Sequence, residues 1–436
     1  MDIVYFMKVL LGGLLAFMGS ASFFLFFSPR TVVLQNQTGA VSAQAVNLPS
    51  VPEATTTSDL SETKKNGSGD IANQAQLPNP PQIAKAIYIT GWSAGSYNKM
   101  TSLINLIEAR GLNAVVIDIK DYSGYVSYAM DVPEVKASGA DKELRIIRPN
   151  ELIKRLHDKN IYVIGRVTVF QDPIFAKAHP ELALKDKNTG KLWVDNHKLA
   201  WLDAAGQPTW DYIISIAKDA LNRGFDEINF DYIRFASDGN LGAISFPFWD
   251  EKTAKHLVIK KFFAYLREQL PDAKLSADLF GLATFDTWDD LGIGQVIEDA
   301  YQYFDYVSPM VYPSHYAAGT LNYKNPADHP YEIIKYSMDR ALERLTASNK
   351  KQITNGSTSS PQGSSSTSTS TPVTTINPPF RAKLRPWLQV FDLGAVYTPA
   401  MIAEEIRASD DAFASSSSKY GGWLLWDPAN NYKNFK

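Results

Sequence analysis

The fold is decided by the stretch Phe225-Asp226-Glu227-Ile228-Asn229-Phe230-Asp231-Tyr232-Ile233-Arg234-Phe235. Successive side chains of a strand point to opposite faces, so Ile228 and Phe230 share one face while Asn229 and Asp231 share the other. The apolar face suits packing against helices, and the polar face suits the axis of a closed barrel. This pattern indicates a buried strand that carries functional groups on its inner face.

Seven further short, mainly apolar runs are typical of buried parallel strands. Together with Glu227–Asp231, the predicted strands are Ala86–Gly91, Ala114–Ile119, Tyr162–Thr168, Leu275–Phe280, Asp305–Val311, Pro386–Phe391 and Gly422–Trp426. Amphipathic helical stretches lie between them, so the sequence predicts an α/β fold, a (β/α)8 TIM barrel. A doubly wound open sheet is the alternative, but the turn Gly91–Ser96 lacks the Gly-rich nucleotide-binding fingerprint of that fold.

The remaining sequence predicts an anchor, a linker and an insertion. Residues 1–30 contain 21 consecutive uncharged residues between Lys8 and Arg30, which is long enough for a transmembrane helix. We predict an uncleaved membrane anchor, with a cleaved signal peptide as the alternative. Either places the following domain outside the cytoplasm. Residues 31–83 are polar and predict a disordered linker. The barrel is assigned to 84–432, with a Ser/Thr-rich disordered insertion at about 350–379.

Composition excludes several classes of function. The net charge of −3 provides no basic field for nucleic acid. The absence of cysteine excludes thiol catalysis, Fe–S clusters and cysteine-ligated zinc. Of the six histidines, only His315 lies near the end of a predicted strand, so a histidine-rich metal site is not expected. No serine-hydrolase elbow or Walker-type loop is present. We therefore expect no cofactor, no metal and no nucleic-acid partner, and we expect a monomer.

Acidic and aromatic side chains recur at the carboxyl ends of the predicted strands, where barrel enzymes place their active sites. Glycoside hydrolysis needs two carboxylates. We predict Asp231 as nucleophile or charge stabiliser and Asp278 as general acid/base, with Asp118 and Asp427 as possible substitutes for the acid. The predicted substrate-binding residues are Trp92, Asp118, Lys120, Arg166, Asn229, Arg234, Tyr312, His315, Gln389, Trp426 and Asp427.

Four of these residues are predicted for a specific physical reason. The flat faces of Trp92, Tyr312 and Trp426 suit stacking on sugar rings. Arg234 follows the fourth strand closely and is predicted to pair with Asp231, since a carboxylate inside a barrel needs a partner. Each residue also has a structural interpretation, as core filler or as a loop salt bridge. A non-catalytic carbohydrate-binding barrel is therefore the second hypothesis.

Several motifs also support a family resemblance. They are Phe225–Phe235 with Asp238-Gly239, Asp118–Asp121, Ser308–Tyr316, Arg385–Asp392 and Gly421–Pro428. In combination they resemble a bacterial family of glycoside-hydrolase-like proteins, classed as a domain of unknown function within the glycosidase TIM-barrel superfamily. The resemblance covers nearly all of 84–432 outside the insertion. It implies a TIM barrel that hydrolyses polysaccharide, here of the cell envelope or the extracellular space.

The sequence departs from two better understood groups of barrels. Chitinase-like barrels carry Asp-x-x-Asp-x-Asp-x-Glu on the fourth strand, and Ile233 stands here where the catalytic Glu belongs. Amylase-like barrels carry an Arg two residues before the nucleophile and a Glu on the fifth strand, where this chain has Asn229 and Asp278. The resemblance therefore implies hydrolysis with a different acid.

Overall fold

The computed structural model describes residues 69–356 and 380–435, in which eight parallel strands form a closed barrel. The strands are β1 (Ala84–Ile89), β2 (Ala114–Lys120), β3 (Tyr162–Thr168), β4 (Glu227–Asp231), β5 (Leu275–Phe280), β6 (Tyr306–Met310), β7 (Trp387–Gln389) and β8 (Gly422–Trp426). Neighbours in the barrel follow chain order, β8 pairs with β1, and Met310 opposite Trp387 joins β6 to β7. The predicted TIM barrel is confirmed.

Helices surround the barrel. They are α1 (Gly91–Gly95), α2 (Tyr97–Ala109), α3 (Pro133–Ser138), α4 (Pro149–His157), α5 (Pro173–Ala178), α6 (Gln207–Arg223), α7 (Lys255–Gln269), α8 (Ile297–Tyr301), α9 (Pro330–Gly356) and α10 (Pro399–Ala412). Several begin at a proline, which costs no hydrogen bond in the first turn. A short strand, Lys383–Leu384, extends the sheet beside β6, and Lys185–Asp186 pairs with Ile244–Ser245 in a separate two-stranded antiparallel sheet.

The strands divide the apolar core into two parts. Outward side chains such as Ile228 and Phe230 pack with the helices in the larger cluster. The smaller cluster fills the inside of the barrel with Val116, Ile164, Leu424 and their neighbours. The side-chain alternation predicted for the fourth strand is therefore observed, and it leaves Asn229 and Asp231 buried on the other face.

The floor of the barrel holds a buried ion pair. Glu227 and Arg385 contact each other through both oxygens of the carboxylate, and both side chains are fully buried. The Tyr162 hydroxyl donates to Glu227 at 3.3 Å, and the Arg385 guanidinium lies 4.1 Å from the ring centre of Tyr306. Because Glu227 shares its face of β4 with Asp231, the inner face of this strand carries charge at both ends.

Residues 69–83, which the sequence analysis assigns to the linker, contact the amino-terminal end of the barrel. The Gln76 side-chain amide donates to the Phe225 carbonyl at 2.8 Å, and the Leu77 backbone N–H donates to the Asp226 carboxylate at 2.7 Å. Leu77 also packs against the interior cluster. The folded unit therefore begins before Ala84, because this segment forms hydrogen bonds and apolar contacts with the barrel.

The other predicted segments fall mostly outside the described residues. These are the membrane segment at 1–30, the linker up to residue 68, and 357–379 of the Ser/Thr-rich insertion. The first residues of the predicted insertion belong to α9, which continues to Gly356. Within 69–356 and 380–435, no helix combines the length and the apolar character that a membrane span requires.

Asp70 gives a direct test of this N-terminal packing. Its carboxylate accepts from the backbone N–H groups of Asn150 at 2.6 Å and Glu151 at 3.1 Å, while the residue that precedes α4, Arg148, provides no side-chain cap. Asp70→Ala should therefore lower the free energy of unfolding by about 1 kcal/mol, the usual value of a helix N-cap. Urea unfolding of the full chain measures this loss. The exposed Asp272→Ala is the control, and equal stability of both variants would contradict the capping role.

Candidate active site

Arg166, on β3, lies at the centre of three carboxylates inside the barrel. Its Nη1 donates to Asp118 Oδ1 at 2.6 Å, and its Nη2 donates to Asp231 Oδ2 at 2.5 Å. Its Nε lies 3.9 Å from Asp278 Oδ2. Burial alone would lower the pKa of Arg166, but Asp118 and Asp231 reverse that effect and raise it. The guanidinium therefore stays charged, and it brings the carboxylates of β2, β4 and β5 close to one another.

Asp231 ends β4 and is the most accessible of the three acids. Its side chain is 9% exposed, compared with 3% for Asp118 and 1% for Asp278. Its Oδ1 accepts from the backbone N–H of Tyr232 at 2.6 Å. Tyr232 has φ of 55°, in the left-handed region that costs a non-glycine residue free energy. The chain therefore bends sharply directly after Asp231, the predicted nucleophile or charge stabiliser.

Asp278, on β5, is held by two donors on one oxygen. Asn229 Nδ2 and Trp387 Nε1 each donate to its Oδ1 at 2.8 Å. Burial and the negative charge of Asp231 raise the pKa of Asp278 well above its ordinary value, although Arg166 opposes the shift. Asp278 is therefore a carboxyl group that takes a proton readily. Since Oδ1 accepts both hydrogen bonds, Oδ2 is the oxygen left to carry that proton.

Asp118, on β2, is the third acid of the group. Its Oδ2 accepts a short hydrogen bond from the Tyr88 hydroxyl, and its Oδ1 accepts from Arg166. Burial raises the pKa of Asp118 to about 6, while Arg166 acts in the opposite direction. Asp118 therefore changes its charge close to neutral pH, which keeps it as the alternative acid.

Aromatic rings border this group of charges. Tyr88 stacks on Trp426 with ring centres 3.9 Å apart, and Arg166 lies 5.1 Å from the ring centre of Trp426. Trp387 meets Trp426 edge to face at 5.4 Å. Trp426 remains half-buried at the end of β8, so it borders the cleft. One of its faces is already covered by Tyr88, which limits the predicted stacking on a sugar ring.

Tyr312 and His315 follow β6, where their rings pack with Phe391. Tyr312 meets His315 edge to face at 5.1 Å and Phe391 at 5.7 Å. Burial raises the pKa of Tyr312, and the negative charges of Asp278 and Asp231 act in the same direction. Burial lowers the pKa of His315 to about 3, so its ring is neutral at physiological pH.

Trp92 lies on α1, directly after β1, and is 60% exposed. The Arg145 guanidinium lies 5.1 Å from its ring centre. Arg145 is itself fixed by ion pairs with Asp121 and Glu143. Trp92 is therefore an exposed ring held in one orientation at the carboxyl end of the barrel, as a sugar-stacking residue requires.

Comparison with known proteins identifies the family. Residues 86–432 match the sequence profile of DUF4015, a family described as "Putative glycosyl hydrolase domain". The chain belongs to the DUF4015 family. The resemblance inferred from the motifs is thus confirmed. A comparison with curated proteins gives no match.

Among the solved structures that are similar to this DUF4015 chain, two illustrate the likeness. A hypothetical protein from Ruminiclostridium thermocellum ATCC 27405 is 44% identical over 44% of this chain and 96% of its own, with a TM-score of 0.41. The PgaB (BpsB) glycoside hydrolase domain from Bordetella bronchiseptica is 12% identical over 79% of this chain and 94% of its own, with a TM-score of 0.50. At that identity the second likeness shows the fold alone.

Lys120 of the DUF4015 domain does not belong to the site, which corrects its predicted substrate contact. The register of β2 against β3 shifts after Asp118, so Asp118 lies opposite Arg166 while Lys120 lies opposite Val167. The Lys120 ammonium donates to the Thr168 carbonyl at 2.7 Å and pairs with Asp172 at 2.9 Å. A β-bulge changes the face on which the next side chain lies, and the sequence pattern does not reveal it.

Gln389 and Asp427 also have structural roles in place of the predicted substrate contacts. Gln389 Oε1 accepts from the Ser314 hydroxyl at 2.8 Å, and its Nε2 donates to the Phe391 carbonyl at 2.9 Å. Asp427 accepts from the backbone N–H groups of 429, 431 and 432 at 2.7 to 3.0 Å. Both side chains fix loops, and Asp427 is not among the carboxylates that Arg166 contacts.

Arg234 does not pair with Asp231, which corrects the predicted ion pair. Asp231 contacts Arg166, which is 65 residues earlier in the chain and on the neighbouring strand. Arg234 lies beyond the end of β4 among aromatic rings and donates to the Phe235 carbonyl and the Ser237 hydroxyl. The prediction was wrong because it chose the arginine that is nearest to Asp231 in the sequence, whereas the partner lies on the neighbouring strand.

Two residues of the site are missing from the predicted set. Trp387 donates to Asp278, and Tyr88 donates to Asp118. Trp387 lies two residues before Gln389 and therefore on the same face of its strand, and Tyr88 likewise precedes the end of β1. The alternation of side chains along a strand therefore indicates that both residues face the barrel interior. Their hydrogen bonds could not be predicted, because these depend on which strands are neighbours.

Proposed function

We propose that this chain hydrolyses glycosidic bonds, with Asp231 and Asp278 as the two carboxyl groups. The observation that carries the proposal is their opposite environments around one guanidinium. Asp231 is ion-paired with Arg166 at 2.5 Å, whereas Asp278 lies 3.9 Å from the same group and has a raised pKa. Two neighbouring carboxyls that differ in this way supply the anion and the acid that glycoside hydrolysis requires.

In this proposal the proton of Asp278 moves to the glycosidic oxygen as the bond to the anomeric carbon breaks. The sugar then carries positive charge, which the carboxylate of Asp231 stabilises directly or by forming a bond to that carbon. A water molecule completes the hydrolysis and returns a proton to Asp278. Asn229 and Trp387 are positioning residues, because they fix Asp278 Oδ1 and leave Oδ2 for the proton.

The substrate that we propose is a polysaccharide of the cell envelope or the extracellular space. The uncharged segment at 1–30 supports this, since it predicts a membrane-tethered domain outside the cytoplasm. The exposed ring of Trp92 and the half-buried ring of Trp426 offer apolar faces at the carboxyl end of the barrel. We further propose that Asp118, as a carboxylate, positions Arg166 by accepting its hydrogen bond.

Hydrolysis of a panel of envelope and extracellular glycans by the full chain tests the proposal. We expect release of new reducing ends from at least one glycan. The burial of Asp278, with a side chain only 1% exposed, favours a second candidate, a carbohydrate-binding barrel without turnover. Binding of a glycan with no reducing ends released from any member of the panel would support that candidate and contradict hydrolysis.

Trp387→Phe tests the role of Asp278 through the pH dependence of the reaction. A general acid must be protonated, so kcat/KM should fall as pH rises through the pKa of Asp278. The indole N–H stabilises the carboxylate form and holds that pKa down. Its loss should therefore move the falling part of the pH profile to higher pH.

Trp423→Phe is the matched control for this change. Trp423 lies on β8 among the residues that pack with the helices, and its indole N–H has no partner within the part of the chain that the structure describes. We expect its pH profile to match that of the wild type. A falling part that stays in place in Trp387→Phe, or that moves to lower pH, would contradict the assignment of Asp278 as the acid.

A further inference from the structure

Arg234 differs from the other buried arginines of the chain. Within 69–356 and 380–435, four arginines are at most 7% exposed. Three of them form ion pairs: Arg145 with Asp121 and Glu143, Arg166 with Asp118 and Asp231, and Arg385 with Glu227. Arg234, at 4% exposed, contacts no carboxylate of these residues. An arginine in this position carries a charge whose burial costs free energy unless a partner balances it.

The surroundings of Arg234 satisfy its hydrogen bonds only in part. Its Nη1 donates to the Phe235 carbonyl at 3.1 Å and to Ser237 Oγ at 2.9 Å. Its Nε and Nη2 donate to no acceptor among the described residues. The rings of Trp201, Tyr232 and Phe280 surround the guanidinium, with centres 4.8, 5.3 and 5.0 Å from its central carbon. These rings orient the planar group, but none of them supplies a negative charge.

The acids closest to Arg234 are engaged elsewhere. Asp195 accepts from the backbone N–H groups of 197 and 199 and from the Trp201 indole. Asp238 accepts from the backbone N–H of 196, and Asp231 is paired with Arg166. Their charges act on Arg234 only from a distance. The protein therefore leaves the remaining donors of Arg234 for a group that it does not itself provide.

Arg234 lies beside the proposed catalytic pair. It follows Asp231 by three residues, and the ring of Phe280, which it contacts, lies two residues after Asp278 on the inner face of β5. The guanidinium is thus located between the carboxyl ends of β4 and β5. A substrate that reaches Asp231 and Asp278 would present its neighbouring substituents to this group.

We infer that Arg234 binds an anionic substituent of the substrate, so that the glycan is an acidic one. A planar guanidinium with free N–H groups matches the two oxygens of a carboxylate or a phosphate. The inference rests on the proposed function and names the class of its substrate. Repulsion from the site is reduced, because Arg166 offsets one of the two negative charges of Asp118 and Asp231 and the raised pKa of Asp278 favours its neutral form.

Binding measurements on the full chain test this inference without requiring turnover. The probes are oligogalacturonate, oligoglucuronate and a glycerol-phosphate-substituted oligosaccharide, each beside its neutral counterpart with the acid reduced or the phosphate removed. We expect the wild type to bind at least one acidic probe about tenfold more tightly than its neutral partner, since a charge-assisted bidentate pair contributes at least that factor. The probe that binds distinguishes a carboxylate from a phosphate.

Variants at Arg234 assign the preference to this side chain. Arg234→Gln should remove the tenfold preference, and Arg234→Lys should keep part of it because the charge remains but the planar fork is lost. Arg340→Gln, an exposed position on α9, is the matched control. The acidic probe should raise the Tm of the wild type and of the control but not of Arg234→Gln.

Equal binding of every acidic probe and its neutral partner by the wild type would overturn the inference, even if Arg234→Gln failed to fold. A preference that persists in Arg234→Gln would overturn it as well. Turnover of neutral glycans without a charge preference would contradict this inference alone. Binding of acidic glycans without turnover would contradict the proposed hydrolysis alone.

Discussion

Asp231→Asn is expected to lower kcat by about 10³-fold or more while glycan binding persists, because removal of a charge that acts in the transition state has effects of this size. Asparagine keeps the shape of the side chain, and its carbonyl oxygen can still accept from the Tyr232 N–H. It carries no negative charge for the anomeric carbon. The loss should therefore appear in kcat, measured by release of reducing ends under saturating glycan.

Two further measurements separate this result from a loss of structure. Calorimetric binding of the same glycan should remain within a few-fold of the wild type, since uniform binding does not depend on the transition-state charge. The exposed Asp131→Asn, which interrupts only a surface ion pair with Lys136, should keep full activity. Retention of wild-type kcat in Asp231→Asn would remove Asp231 from the mechanism.

Arg166→Met is expected to lower the free energy of unfolding by about 3–5 kcal/mol at neutral pH and to abolish hydrolysis, since one partner of a buried ion pair is lost. Methionine fills a similar volume, but it leaves the buried carboxylates Asp118 and Asp231 without their common partner. Denaturant unfolding of the full chain measures the change. Arg407→Met, at an exposed position on α10, is the control and should be near neutral.

The pH dependence of the same variant has a definite sign. The pKa of Asp118 is already raised to about 6, and Arg166 holds it down, so the variant should raise it further. A carboxyl with a raised folded-state pKa binds more protons when folded, so stability falls as pH rises from its ordinary value through the folded-state pKa. The deficit of Arg166→Met should therefore be larger at pH 7 than at pH 4. An equal deficit at both values would contradict the role of Arg166 in balancing these acids.

The sequence contained enough information for the barrel and for the acids on its inner face. Each strand is a short buried run, and the alternation of side chains along a strand predicts that Asn229, Asp231, Asp278 and Arg166 face the barrel interior, whichever strands are neighbours. The prediction of the strands succeeds because a strand of a parallel sheet is buried on both faces, so its own residues form a short apolar run.

The contacts between strands could not be predicted in the same way. Arg166, not Arg234, pairs with Asp231, because the partner comes from the adjacent strand and not from the next residues of the same strand. The bulge after Asp118 rotates Lys120 out of the interior, although the pattern of the sequence continues through it. Asp427 has the same residue type as the proposed catalytic acids, but its oxygens accept hydrogen bonds from the turn that follows β8.

The pairing of β8 with β1 also constrains how a nascent chain matures. Tyr88 and Trp426, which stack at the edge of the site, come from the first and the last strand. A chain that ends before Gly422 lacks the strand that covers β1, so an unpaired strand edge remains open. Closing the barrel by pairing two strands that lie so far apart in the sequence is intrinsically slow. Completion of the last strand therefore sets the moment at which the cleft lined by Tyr88 and Trp426 can form.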